Sequence, residues 1–122
     1  MSPLLALHQV VANAVVLYFA ALGIWGLGLA ITRRGFGSAY RGALVLGGIL
    51  GVLQALIGVL LVVGGSRPRD DLHYLYGLSV IVTLPLVYQY LSQRRITRIV
   101  LIYAVACFFI MGLGIRAITT GA

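Results

Sequence analysis

The sequence predicts an all-α protein, an integral membrane four-helix bundle of up-down-up-down topology with both termini on the outer side. Three observations carry this reading. Of 122 residues, 61% are hydrophobic and only 9% charged. The apolar residues fall into four stretches, each long enough for the ~20 residues that a spanning helix needs. The basic residues gather at the borders of those stretches. The spans run at about 4–31, 42–64, 72–91 and 99–118, so that spans and connectors use residues 1–122 as one transmembrane domain with no room for a soluble one.

All nine basic residues are Arg, and the formal net charge is +7. Arg33, Arg34 and Arg41 lie between spans one and two, Arg94, Arg95 and Arg98 between spans three and four, and only Arg67 and Arg69 between spans two and three. Lys and Arg in short loops mark the cytoplasmic side. The bias of six against two, or six against three with Arg116, therefore places both termini in the periplasm or its equivalent, with the inner (plasma) membrane as the expected location. The cations are thereby accounted for as topology determinants, and no nucleic-acid partner is expected.

Each element has its own signals. Met1-Ser2-Pro3 reads as a helix start, with Ser2 as cap and Pro3 in the first turn, where a missing N–H costs nothing. The apolar run of span one exceeds the ~7–15 residues of a signal h-region and no basic residue precedes it, so it is read as a mature helix. Gly35-Phe36-Gly37 ends it, with Tyr40 expected at the inner interface. The short turn makes spans one and two antiparallel neighbours.

Span two is glycine-rich, and Gly47 with Gly51 forms a small-xxx-small pair that permits close helix approach. Asp70 or Asp71 is a candidate N-cap for span three. That span carries Tyr74 and Tyr76 at its outer end and Tyr88 and Tyr90 at its inner end, as aromatic belts require, and Pro85 inside it should kink or loosen the helix. In span four, the lone Cys107 can form no intrachain disulfide and reads as packing, as does Met111.

The chemistry-bearing residues are His8 and His73, the only two histidines. An ionisable residue within a membrane span is costly and marks a functional site by default. Spans one and three both run inward from the outer side. At ~1.5 Å rise per residue, His8 lies roughly 7 Å below a start at Pro3, and His73 roughly 4 Å below a start at Asp70 or Asp71. The two share one depth. In such a bundle spans one and three are diagonal, ~11–14 Å apart if neighbours are ~8–10 Å apart. That distance and the absence of a nearby Cys or carboxylate set disfavour a tetrahedral ion. It suits a flat macrocycle held on both faces, and haem iron takes axial imidazoles. Histidines that lie separately at the interface are the competing structural reading.

Space for such a ring needs small residues at the same depth. Gly77 lies one turn below His73 on the same face and Ala12 below His8, while Gly58 and Gly65 of span two and Gly112 and Gly114 of span four reach the outer half. Propionates would need outer-side cations, for which Arg67, Arg69 and Arg116 are the candidates; Arg116 can equally snorkel to the interface. Asn13, Gln54 and Gln89 read as interhelical hydrogen-bond partners, with Gln9 and Gln54 able to support a ligand from behind.

Leu7-His8-Gln9-Val10-Val11, then Leu53-Gln54-Ala55-Leu56-Ile57-Gly58, then Asp71-Leu72-His73 resemble one four-helix half of haem A synthase over roughly residues 4 to 93. That family joins two such halves, each with a haem-ligating His on its first and third helices near the outer face. The resemblance implies ligation at His8 and His73. It does not carry over methyl-group oxidation: Leu4 and Leu5 stand where the catalytic half has Glu, no Glu exists in the chain, Gln9 replaces the Arg that commonly follows the first His, and the paired outer-loop cysteines are absent.

The expected function is thus a membrane cytochrome that binds one b-type haem through two histidines for electron transfer, rather than a haem A synthase. It would sit in lipid and work with other membrane subunits of a respiratory or photosynthetic complex, or with itself. The alternatives are a non-redox accessory subunit and a haem delivery or assembly protein. A transporter fits less well, since no pair of broken helices is seen.

Overall fold

The computed structural model describes residues 3–32, 37–65, 71–92 and 99–121. Four helices make up almost all of them: α1 (Pro3–Ile31), α2 (Ser38–Val63), α3 (Leu72–Ser92) and α4 (Ile99–Gly121). Each is long and apolar enough to cross a membrane. Ser2, Arg33, Arg34, Gly35, Phe36, Arg67, Arg69, Asp70, Arg94, Arg95 and Arg98 lie outside the described residues.

The helix ends follow local chemistry. Pro3 opens α1 as its fixed φ and missing N–H allow. At the other end, Thr32 turns its hydroxyl back on the Gly28 carbonyl at 2.8 Å. The expected start of α2 at residue 42 is corrected to Ser38, behind an extended Gly37. Beyond Val63, Gly64 and Gly65 donate their N–H groups to Leu60 and Val62. Gly65 does so at φ +96°, a left-handed conformation that a side chain would strain. The α4 helix reaches Gly121, a turn beyond the expected end at 118. Pro85 lies within α3.

Four adjacent pairs, α1 with α4, α4 with α3, α1 with α2, and α2 with α3, make all the interhelical backbone contacts, so α1 faces α3 across a diagonal. Small residues bring α1 and α4 together. A Cβ added at Gly23 would lie 2.8 Å from the Phe108 ring, one at Gly26 2.9 Å from the Ala104 Cβ, and one at Gly114 2.9 Å from Val16. Gly114 is therefore used in helix packing and leaves no room for a bound ring, which corrects that part of the sequence reading. The Gly47/Gly51 pair divides its work: Gly47 accommodates Phe19 of α1, while Gly51 faces Val80 of α3.

The core is built from Val15, Phe19, Leu22, Tyr40, Leu44, Leu91, Tyr103, Cys107 and Ile110. Tyr40 is not the interface residue that was expected. It is 1% exposed, donates to the Leu22 carbonyl at 3.0 Å and meets Trp25 edge-to-face. A buried phenol needs a partner for its hydroxyl, and a carbonyl of α1 supplies it. Tyr18 does the same toward the Ala43 carbonyl at 2.6 Å. Asn13 faces outward, away from the interhelical role expected of it. Leu17, Ile24, Leu46, Val63, Leu86 and Phe109 also face outward. A helix that is apolar all round belongs in a membrane, where lipid solvates such side chains as well as a core does.

Candidate functional site

The starts of α1 and α3 carry His8 and His73, which pack against Gly58 of α2 and Gly121 of α4. There the rings of His8 and His73 lie 6.1 Å apart, centroid to centroid, with their planes at 70°. The two helices make no backbone contact, so the side chains alone bridge the diagonal. They come nearer than the helix axes suggested, which removes distance as an argument against a shared ion. Among the described residues no group of three His, Cys, Asp or Glu side chains gathers around the pair.

His73 is held by α4. Its Nδ1 lies 2.7 Å from the carbonyl oxygen of Ala117. A carbonyl only accepts, so Nδ1 carries a proton and donates it, and Nε2 is the ring nitrogen not engaged by α4. One turn further along α4, a Cβ at Gly121 would stand 2.8 Å from both Nδ1 and Cε1 of the ring. Only glycine at 121 lets the ring approach the last turn of α4 this closely.

His8 is held by α2. Its Cε1 lies 3.2 Å from where a Cβ at Gly58 would be. Gln54, one turn earlier on the same face of α2, donates Nε2 to the backbone carbonyl of His8 at 2.8 Å. Two side-chain atoms here are buried without a hydrogen-bond partner: Nδ1 of His8 and Oε1 of Gln54.

The remaining candidates divide. Gly58 joins the pair directly. Gly77 is half-buried with open space where its Cβ would be, and neither histidine is near that position. Arg116 stacks 5.7 Å above the centre of the Tyr76 ring on the α3–α4 edge of this end; Arg67 and Arg69 fall outside the described residues. Ala117, Gly121 and Tyr76 were not anticipated as site residues. A signal for two of them exists: Ala117-Ile118-Thr119-Thr120-Gly121 is a small-xxx-small step on the span that faces His73.

An apolar groove of about 470 Å³ lies elsewhere, between α2 and α3, lined by Val45, Gly48, Val52, Leu56, Ile81 and Pro85 among others. It runs along the middle of these helices and does not include the histidines.

The fold and this geometry define a class: a multi-pass helical membrane protein that brings two imidazoles together at one end. No family model, curated protein or solved structure matches the chain.

Proposed function

We propose that the chain is a membrane cytochrome that holds one b-type haem between His8 and His73 and serves one-electron transfer. The observation that carries this reading is the ring separation of 6.1 Å. Two imidazoles on opposite sides of one metal, each nitrogen ~2 Å from it, have centroids roughly 6 Å apart. Rotation of either ring about that axis leaves the separation unchanged, so planes at 70° are compatible with it.

The surroundings fit the group. The Nδ1–H of His73 is committed to Ala117, the kind of support that fixes a ligating imidazole and raises its basicity. Gly77, one turn from His73 on α3, has open space at its Cβ position, and Arg116 supplies a cation at the same end for a carboxylate partner. Bound there, haem iron would supply a one-electron couple, and the protein would tune it through imidazole basicity and burial. Without a Glu anywhere in the chain, a substrate-oxidising role has no carboxylate of the kind found in the catalytic half of haem A synthase.

The arrangement belongs to an up-down-up-down bundle with both termini on the periplasmic side. The contacts of His8 with Gly58, of His73 with Gly121, and of Gly26 with Ala104 support it, and the Arg distribution supplies its orientation. Outward apolar faces suit lipid together with partner helices of a larger electron-transfer complex, or of a second copy.

An optical spectrum of the purified chain tests the reading. Sharp reduced α and β bands are expected, and they should disappear in His73→Ala with helical content retained. A colourless native preparation of full helical content overturns the proposal. A haem that exchanges readily with free haem would replace electron transfer by delivery.

A further inference from the structure

We propose that the outward face of α1 is the surface through which two copies of this chain associate in the membrane, with the Asn13 amide of one hydrogen-bonded to the Asn13 amide of the other. Along α1, Val10, Leu17, Ile24 and Ile31 recur every seven residues and are 65%, 69%, 65% and 73% exposed. They lie opposite Val15, Phe19 and Leu22, which enter the core. Asn13 is exposed too; three residues after Val10 and four before Leu17, it belongs to the same face. A seven-residue repeat keeps one seam of a helix turned toward a parallel partner. Apolar residues alone would select no partner, since lipid solvates them equally well. Asn13 breaks that indifference.

At ~1.5 Å per residue, Asn13 stands roughly 15 Å along α1 from Pro3 and about 6 Å from the middle of the helix near Leu17, within the ~30 Å of hydrocarbon that a spanning helix crosses. No water is available there. The amide has two N–H donors and an acceptor oxygen to satisfy, yet among the described residues it makes no hydrogen bond, not even with the exposed Gln9 one turn before it. Its own helix has no donor for the oxygen, because each backbone N–H of a helix interior is already given to the carbonyl four residues back. An amide left in this state carries the full cost of its desolvation.

A second copy is the occupant that this face fits. Copies inserted in one membrane with one orientation run α1 parallel to α1 about a two-fold axis along the membrane normal, and an isologous contact on that axis sets a residue opposite itself at equal depth. Asn13 then meets Asn13, and the pair is self-complementary: the nitrogen of each donates to the oxygen of the other. A foreign helix would have to carry a polar group at this same depth. In coiled coils a single Asn in an apolar seam fixes register and the number of strands. Ala14, Ala21 and Gly28, exposed beside the seam, let the two backbones approach. The inference does not rest on haem, since His8 packs inward on Gly58, away from this face.

Sedimentation equilibrium of the full chain in density-matched detergent micelles measures the association, and oxidative cross-linking in membranes locates the face. The native chain is expected to show a monomer–dimer equilibrium. Asn13→Leu should weaken dimerisation by about 3- to 30-fold, the equivalent of an interhelical hydrogen bond in a membrane, with helical content unchanged because no bond within the chain is lost. Asn13→Gln, which keeps the amide, should restore most of the association. In a Cys107→Ala background, Leu17→Cys should form a disulfide-linked dimer, and Leu86→Cys on the outward side of α3 should not. A native chain that stays monomeric overturns the proposal and leaves the face to a helix of another protein. A dimer indifferent to Asn13→Leu overturns it as well, as does one cross-linked through α3 and not through α1. A colourless chain that dimerises through Asn13 would remove the haem reading and leave this interface standing.

Discussion

The Ala117 carbonyl accepts the Nδ1–H of His73 at 2.7 Å, and Gly121 makes the approach possible by having no side chain in the path of the ring. Any side chain at 121 must displace the imidazole or the last turn of α4. Gly121→Val should therefore break the bond and, on the proposed haem reading, weaken haem retention by about 10- to 100-fold, the range seen when support behind a metal ligand is removed. Haem loss to an excess of an apo-globin acceptor, followed optically, measures it. Retention equal to the native chain would show that the carbonyl contributes nothing to holding the ligand.

At the opposite end of the bundle, a Cβ on Gly26 would collide with the Tyr40 hydroxyl and stand 2.9 Å from Ala104. Gly26→Ala is expected to destabilise the α1–α2–α4 packing by about 1–3 kcal/mol, the usual range for overpacking. Tyr40→Phe alone should cost about 1 kcal/mol by leaving the Leu22 carbonyl without its second donor. Together the two should cost less than their sum, because the second change removes the atom nearest the clash. Thermal unfolding in detergent reads all three; strict additivity would contradict the contact.

Arg116 lies above the Tyr76 ring and is exposed, so its stacking is worth at most about 1 kcal/mol. Arg116→Gln should leave the unfolding temperature nearly unchanged. If the guanidinium also faces a haem propionate, removing its positive charge should lower the midpoint potential, since a nearby cation favours the reduced form. A spectroelectrochemical titration separates the two roles, and an unchanged potential confines Arg116 to Tyr76.

The proposed orientation is open to a labelling test. In a Cys107→Ala background, Thr119→Cys should react with a membrane-impermeant maleimide added to intact cells, and Gly37→Cys should react only after the membrane is opened. Both positions lie at helix ends, at the end of α4 and just before α2. The reverse pattern would invert the topology while leaving the bundle itself intact.

Much of the bundle was legible before any coordinates. Length and composition predict four helices of spanning size, and the described helices agree with the expected bounds to within a few residues. The co-location of His8 with His73 was legible too, because rise per residue and alternation of spans give depth without knowledge of packing. Tyr40 was misplaced for a definite reason. Its neighbour Arg41 and the glycine-rich turn suggested a border position, whereas the fold turns its ring inward onto Trp25 and the Leu22 carbonyl.

The glycines show where local reading stops. Gly26, Gly58, Gly77, Gly114 and Gly121 are chemically identical, yet each does something different: it clears a tyrosine, seats His8, leaves open space, admits Val16 or seats His73. None of these duties follows from a neighbour in the chain, since the partner is contributed by another helix.

The sequence by itself determined the number of helices, their capacity to cross a membrane and the common level of the two histidines along them, because those depend on apolar length and on the fixed rise of a helix. Only the tertiary structure decided which carbonyl holds His73, which amide faces His8 and which small residues are spent on packing. The physical reason is that these helices are apolar on nearly every side, so no amphipathic stripe announces an inward face. In lipid, helices choose their neighbours by shape and by a few hydrogen bonds, and those are properties of pairs of surfaces.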